Sequence, residues 1–325
     1  MPESEKKLIQ RIRRQAGAAA DRTATASVIA GIGDDAAVLR LPAGRDLLVT
    51  TDFSIENIHF RREWHPADVV GWRCLTRGLS DIAAMGGEPV AAFLSLAVAA
   101  DVPQSWVDQF IKGLLRLAKK FEVQLAGGDT ANTVEGIQAD IVVVGSVPKG
   151  TAVLRSEAKA GDQIYVTGDL GAAAAALSRL RDSLPLGAES RRHFRPLPRV
   201  TVGQWLRQHR IPSAMIDISD GLSTDLDHIC QESGVGADIE AAAIPKSPLG
   251  RGRNEMVALE FALHGGDDYE LLFTSSKPVP KRVEGIRITR IGQITGKRGM
   301  RLADVNGRMR RLEAKGWEHF GIGQE

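Results

Sequence analysis

The chain has 325 residues, 43% of them hydrophobic and 25% charged, and a formal net charge of +2. That is a globular composition, long enough for two cores without disulfides or a structural metal. The balanced charge offers no basic field for nucleic acid or anionic lipid. No apolar run approaches a membrane span, and the opening MPESEKK lacks a signal peptide's apolar stretch, so the expected compartment is the cytoplasm.

In chain order, residues 4–15 read as an opening helix whose RIRR run is a solvated face. Residues 47–51 form a β-rich strand that runs into Asp52 and ends there. Pro66 stands where a helix can begin without losing a hydrogen bond, and that helix runs toward Leu79 and the pair Ser80–Asp81. A strand follows at 91–98. Residues 103–121 have helical periodicity, with Trp106, Phe110, Leu114 and Leu117 on one face. A short strand at 123–126 ends at Gly127, Gly128 and Asp129, and a β-branched strand follows at 140–147. The turn Pro148–Lys149–Gly150 marks the expected domain boundary, giving domains 1–150 and 151–325.

Beyond it, 163–167 is a strand entering a glycine-flanked, alanine-rich helix. The pair Arg191–Arg192 reads as another solvated face. Residues 215–218 form a strand, and the helix from 222 to 232 is stopped by Gly234. Strands follow at 269–274 and 287–291, and Asn306–Gly307 suggests a hairpin. Strands and helices alternate in both halves, so the fold class is α/β or α+β. Cys74 and Cys230 fit no metal-ligand spacing and read as reduced, buried and inert.

The informative pattern is where the aspartates fall. Asp34 and Asp35 follow Gly31–Ile32–Gly33; Asp52 follows LLVTT; Asp81 sits in LSDIAAMGG; Asp129 sits in AGGDT; Asp217 and Asp220 sit in IDISDG; Asp267 and Asp268 sit in HGGDDYE. A single aspartate at a strand end or before a helix is also a turn residue or an N-cap, and Asp220, before Gly221–Leu222, has the pattern of a cap. The whole set has another explanation. Mg²⁺ takes oxygen ligands and binds through carboxylates shared with substrate phosphates. Glycines let the backbone approach those phosphates and offer N–H donors.

Familiar nucleotide signatures are missing. There is no Gly-x-x-x-x-Gly-Lys-Ser/Thr loop, GIGDDA lacks the third glycine of a dinucleotide fingerprint, and no protein-kinase catalytic loop occurs. Gly-x-Ser-x-Gly and His-Glu-x-x-His are absent as well. An enzyme handling phosphates with this sequence leans on metals rather than on a lysine-bearing loop.

Taken in order, GIGDDAAVL, TTDFSIENIHF, LSDIAAMGGEP, GGDT, LRSEAKAGDQIYVTG, PRV, IDISDGLSTDL, GGDDYELLF and GWEHF resemble the thiamine-monophosphate kinase family along most of the chain. Its superfamily also holds aminoimidazole ribonucleotide synthetase, selenophosphate synthetase and the hydrogenase-maturation dehydratase. The resemblance implies a two-domain aminoimidazole ribonucleotide synthetase-like fold. Its N-terminal sheet carries helices on one face, binds ATP and Mg²⁺ and builds a homodimer, and its C-terminal α/β domain completes the nucleotide and substrate site. It implies several Mg²⁺ ions, with Asp35, Thr50, Thr51, Asp52, Asp81, Asp129, Asp217 and Asp220 at metal positions and Asp52, Asp129 and Asp220 the catalytic ones. Gly128, Asp129, Arg155 and Ser219 match ATP contacts. His59, Asp267 and Trp317 match positions near thiamine monophosphate, whose thiazolium suits an indole face and a carboxylate.

Departures concern the substrate end. Asp267 replaces the family's glutamate, Asn57 stands where glycine is common, and GDLGAAA has lost an acid or hydroxyl near Ala172–Ala173 while gaining Asp169. The implied reaction is in-line attack by the phosphate of thiamine monophosphate on the γ-phosphorus of ATP. The alternatives are another ATP-dependent enzyme of the superfamily and a non-catalytic nucleotide-binding homologue. Against the first, no cysteine precedes Cys74 and the chain ends GIGQE rather than in cysteine.

Overall fold

The structure, a computed structural model, describes residues 5–19, 28–32, 35–187, 189–249 and 255–319. Asp34 lies outside the described residues. The chain forms two compact units, Met1–Ile82 with Gly87–Thr151, and Ala83–Gly86 with Ala152–Glu325.

The first unit begins with α1 (Glu5–Ala19), which buries Leu8, Ile12 and Ala16 at four-residue spacing. The short strands β1 (Val28–Ala30) and β2 (Val38–Leu39) pair with each other. Then come β3 (Arg45–Ile55), α2 (Ala67–Ala84), β4 (Glu88–Val98), α3 (Gln104–Lys120), β5 (Gln124–Asn132) and β6 (Ile137–Pro148). The sheet order is β3-β6-β4-β5, with β4 and β5 parallel and the other pairs antiparallel. Helix α3 buries Val107, Phe110, Ile111, Leu114, Leu117 and Ala118, and places Lys119 and Lys120 at the negative end of its dipole. Full burial of Phe110 is worth roughly 2–3 kcal/mol.

Two strands outrun their apolar stretches. The ladder with β6 carries β3 past Asp52 to Ile55, and the ladder with β4 carries β5 through Gly127, Gly128 and Asp129 to Asn132. Main-chain hydrogen bonding decides strand length once a partner strand is in place, whatever the side chains. Asp52 and Asp129 therefore stand inside strands, not at their ends.

The second unit contains β7 (Gln163–Thr167), α4 (Ala172–Arg181), α5 (Ser190–Phe194), α6 (Val200–Gln208), β8 (Ala214–Asp217), α7 (Leu222–Ser233), β9 (Gly236–Glu240), α8 (Leu259–His264) and β10 (Leu271–Ser275). It closes with β11 (Arg282–Val283), β12 (Ile286–Thr295), β13 (Gly299–Ala303) and β14 (Met309–Leu312). The sheet order is β14-β13-β9-β12-β7-β10-β8, with β11 on β12 and the β13–β9 pair parallel. Leu222, Leu226, Ile229 and Cys230 of α7 pack with Ile164, Val166, Ile216 and Leu272 of the sheet in one core. The strip Ala83–Gly86 joins this unit: the Val153 N–H donates to Met85 O at 3.2 Å, and Arg207 Nε donates to Gly86 O at 2.7 Å.

A buried ion pair lies against β7. Glu270, 1% exposed, takes both arms of Arg199, with Nε–Oε2 at 2.6 Å, and accepts Thr167 Oγ1 at 2.6 Å. Arg192, half-exposed, joins it: its Nη1 donates to Asp169 O at 2.6 Å and lies 3.5 Å from Glu270 Oε1. Asp169, the acid gained in this sequence, is also bound by Arg287. Both cysteines are free and buried, and burial pushes each thiol up to about 12. Among the described residues no helix is long and apolar enough to cross a membrane.

Candidate active site

Strand alternation sorts the acids of the first unit. Thr50 and Asp52 share the face of β3 that carries buried Leu48 and Ser54. On that face the Thr50 hydroxyl donates to Asp81 Oδ2 of α2. Thr51 and Phe53 point the other way, where Thr51 Oγ1 donates to Asp140 Oδ1 at 2.6 Å. Asp129 pairs across with Ser95, Ser95 with Asp140, and Asp140 with Phe53, so these four stand in one row. They line a shallow cavity of about 140 Å³ on the open face. The sheet therefore separates the predicted ligands: Thr50, Asp52 and Asp81 on one face, Thr51 and Asp129 on the other.

The remaining predicted residues of this unit are Asp35, Gly128 and His59. Asp35 is exposed in the bend before β2. Gly128 precedes Asp129 with a φ of 145°. His59 closes the turn after β3, its Nδ1 accepting the Ile55 N–H at 3.0 Å.

In the second unit, three loops are knitted by their main chains. Asp217 ends β8, 2% exposed, and Ser219 and Asp220 follow. The Asp267 N–H donates to Ser219 O at 2.8 Å, and the Tyr269 N–H donates to Ile218 O at 2.8 Å. The Trp317 N–H donates to Asp220 O at 3.0 Å, while the Gly316 N–H donates to Thr224 Oγ1 at 2.9 Å. Such contact needs bare glycines: a Cβ on Gly266 would overlap Ser219 O, and one on Gly316 would overlap Asp220 O. Asp217, Ser219, Asp220, Asp267 and Trp317 are thus brought together, Trp317 being 37% exposed. Arg155 is an exposed loop residue whose carbonyl accepts Ser233 Oγ at 2.8 Å.

Backbone strain marks the 267–269 loop. Asp267 has a φ of 64° and Tyr269 a φ of 52°, left-handed values that suit glycine better than a bulky residue. Tyr269 is nevertheless 1% exposed, and its hydroxyl donates to Asp267 Oδ1 at 2.7 Å. Between them Asp268 turns inward. Its Oδ2 accepts the Gly171 N–H at 2.7 Å before the first turn of α4, and burial raises its carboxyl to about 7 against the backbone bonds that lower it.

Sequence reasoning did not single out Asp225, Tyr269, Asp140 or the Arg199–Glu270 pair. Asp225, 1% exposed, accepts the N–H groups of Asp220 and Gly221. Burial first, then the charges of Asp217 and Asp220, hold its carboxyl well above the usual range. Asp220, Asp225 and His228 offer ligand atoms within 4.8 Å of one another. The available signal was an acid in the first turn of the 222–232 helix, the place where acids complement a helix dipole.

A family model described as AIR synthase related protein, N-terminal domain, matches residues 33–147. The chain is 41% identical over 281 residues to the thiamine-monophosphate kinase of Salmonella typhimurium, covering 84% of this chain and 83% of that protein. It is 38% identical over 320 residues to that of Escherichia coli, covering 92% and 94%. The solved structure of AaThiL complexed with AMPPCP and TMP superposes with a TM-score of 0.75 at 30% identity, covering 97% of each chain.

Proposed function

The chain belongs to the thiamine-monophosphate kinase family, and from that premise we propose that it transfers the γ-phosphoryl group of ATP directly to the phosphate of thiamine monophosphate, giving thiamine diphosphate and ADP. The observation that carries this reading to particular residues is the three-loop junction. There the backbone bonds Asp267 N–Ser219 O and Trp317 N–Asp220 O bring the segment of Asp217, Ser219 and Asp220 against those of Asp267 and Trp317.

The donor set fits Mg²⁺. The proposed ligands are all oxygens, and beside them burial first, then the charges of Asp217 and Asp220, raise the carboxyl of Asp225. In the first unit Thr50, Asp52 and Asp81 supply hydroxyl and carboxylate oxygens on one face of the sheet, with Asp35 as a further ligand, while Thr51 and Asp129 offer a separate set of oxygens on the other face. When bound, Mg²⁺ neutralises the phosphate oxygens of ATP and of the acceptor.

The chain's own residues bind and orient. Gly128, Asp129, Arg155 and Ser219 hold the nucleotide. The Arg155 guanidinium, exposed and forked, suits phosphate oxygens. Asp267, oriented by the Tyr269 hydroxyl, faces the cationic thiazolium, with His59 and the Trp317 indole as further contacts. A phosphate monoester has its second pKa near ~6, so the nucleophile is already anionic at neutral pH and no general base is needed. Positioning and charge stabilisation carry the catalysis.

The N-terminal sheet is proposed as a homodimer surface. At its β3 edge the open face exposes Leu47 at 53%, Val49 at 62% and Phe53 at 60%, an apolar row that a second copy would cover, while Asp129 stands on β5 at the opposite edge. Sedimentation should give a dimer for the wild type and a monomer for Phe53→Asp; a monomeric wild type would remove this assignment.

The test of the reaction is incubation with ATP, Mg²⁺ and thiamine monophosphate, with chromatography for thiamine diphosphate. Stoichiometric ADP and thiamine diphosphate are expected; ATP hydrolysis without the diphosphate would overturn the reading.

A further inference from the structure

We propose that Asp225 is a positioning residue for this reaction: its carboxylate fixes the 219–221 turn so that Asp220 presents its side chain in one direction. The inference rests on the reading of Asp220 as part of the Mg²⁺–ATP site. A single oxygen of Asp225, Oδ2, accepts the Asp220 N–H at 3.2 Å and the Gly221 N–H at 3.0 Å. These amides precede the first residue of α7, where N–H groups have no intrahelical acceptor. From the helix side, the Thr224 and Asp225 N–H groups both donate to Gly221 O at 3.0 Å.

Asp220 is thereby held at both of its peptide groups. Its N–H is bound by Asp225, and its carbonyl accepts the Trp317 N–H at 3.0 Å. With both peptide planes fixed, the Cα–Cβ direction is fixed too, before any ligand arrives. Asp225 itself is 1% exposed and lies beneath the turn, so it acts through the backbone and not by touching substrate. The acceptor oxygen is the working part. Asparagine keeps that oxygen, whereas leucine keeps the volume and removes it.

The full-length protein tests this with four forms: wild type, Asp220→Asn, Asp225→Asn and Asp225→Leu. Three quantities are measured: kcat, the Mg²⁺ concentration for half-maximal rate, and calorimetric binding of AMPPCP with Mg²⁺, which needs no turnover. Asp225→Leu should lower kcat about 30-fold, what two lost backbone hydrogen bonds amount to. It should also raise the half-saturating Mg²⁺ and weaken Mg²⁺-dependent AMPPCP binding by about 10-fold each. Asp225→Asn should stay within about 3-fold of wild type in all three.

An Asp225→Asn that falls as far as Asp225→Leu overturns the proposal, since Asp225 would then act by charge or by direct ligation. So does an Asp225→Leu with wild-type Mg²⁺ dependence. If Asp225→Leu gives no cooperative melt, Asp225→Thr replaces it, with a shorter single acceptor and the same expected direction. Asp220→Asn separates the two levels. If it keeps wild-type turnover, the reading of Asp220 fails; if it loses turnover while every Asp225 form is normal, the positioning role alone fails.

Discussion

In the second unit the candidate residues are held by main-chain bonds between three loops, whereas in the first unit they stand on a pleated sheet that sends neighbours to opposite faces. Thr50 and Thr51 are adjacent in sequence, yet one reaches Asp81 and the other Asp140. A side chain on a strand is aimed by register, which a whole ladder of hydrogen bonds enforces. A side chain on a knitted loop is aimed by two or three specific bonds, such as Asp267 N–Ser219 O. The sheet acids are therefore mechanically robust, and the loop acids depend on named neighbours.

The largest effect tests whether both groups serve one chemical step. Asp220→Asn and Asp52→Asn, both folded, should each lower kcat by at least about 10², the scale of losing one charge-stabilising group. If Asp52→Asn keeps wild-type kcat at saturating Mg²⁺, the first unit's acids are not part of that step and the comparison fails.

A smaller effect probes the loop side through pH. Asp268 is raised to about 7 in the folded chain and returns to the ordinary carboxylate range on unfolding. Between those values the folded state holds the extra proton, so stability falls as pH rises toward 7. The loss should be about 2 kcal/mol between pH 5 and 7. Asp268→Asn, whose amide oxygen can still accept the Gly171 N–H, should flatten that slope. Urea unfolding at both pH values checks this; parallel curves for the two proteins would refute it.

The smallest effect concerns one hydroxyl. Tyr269→Phe keeps the ring and removes the bond to Asp267, so KM for thiamine monophosphate should rise about 5-fold while KM for ATP stays put. Equal shifts in both constants would mean that the tyrosine supports the loop as a whole.

Much of the fold was legible because it is local. The 163–167 strand matches β7 in both bounds, and the periodic segment at 103–121 contains α3. Strand length was less legible. Nothing apolar in GGDT announces a strand, and β5 runs there because β4 offers a ladder. The acids of the second unit were visible as glycine-flanked motifs, but what holds them was not. Asp225 has the look of an ordinary first-turn helix acid, and Glu270 that of a strand residue. Their roles come from bonds to Gly221 and Arg199 that sequence spacing does not encode. The ion pair of Arg192 was hidden for the same reason: its partner Glu270 lies far along the chain.

The strip Ala83–Gly86 carries a practical consequence. It is synthesised with the first half and belongs to the second. Its carbonyls receive the Val153 amide and the Arg207 guanidinium, a side chain 8% exposed. A C-terminal fragment starting at Ala152 would lose the acceptors of the Val153 N–H and of Arg207 Nε, so a fragment of the second unit should include residues 83–86. Split-protein complementation or domain shuffling has to carry those four residues across as a second splice.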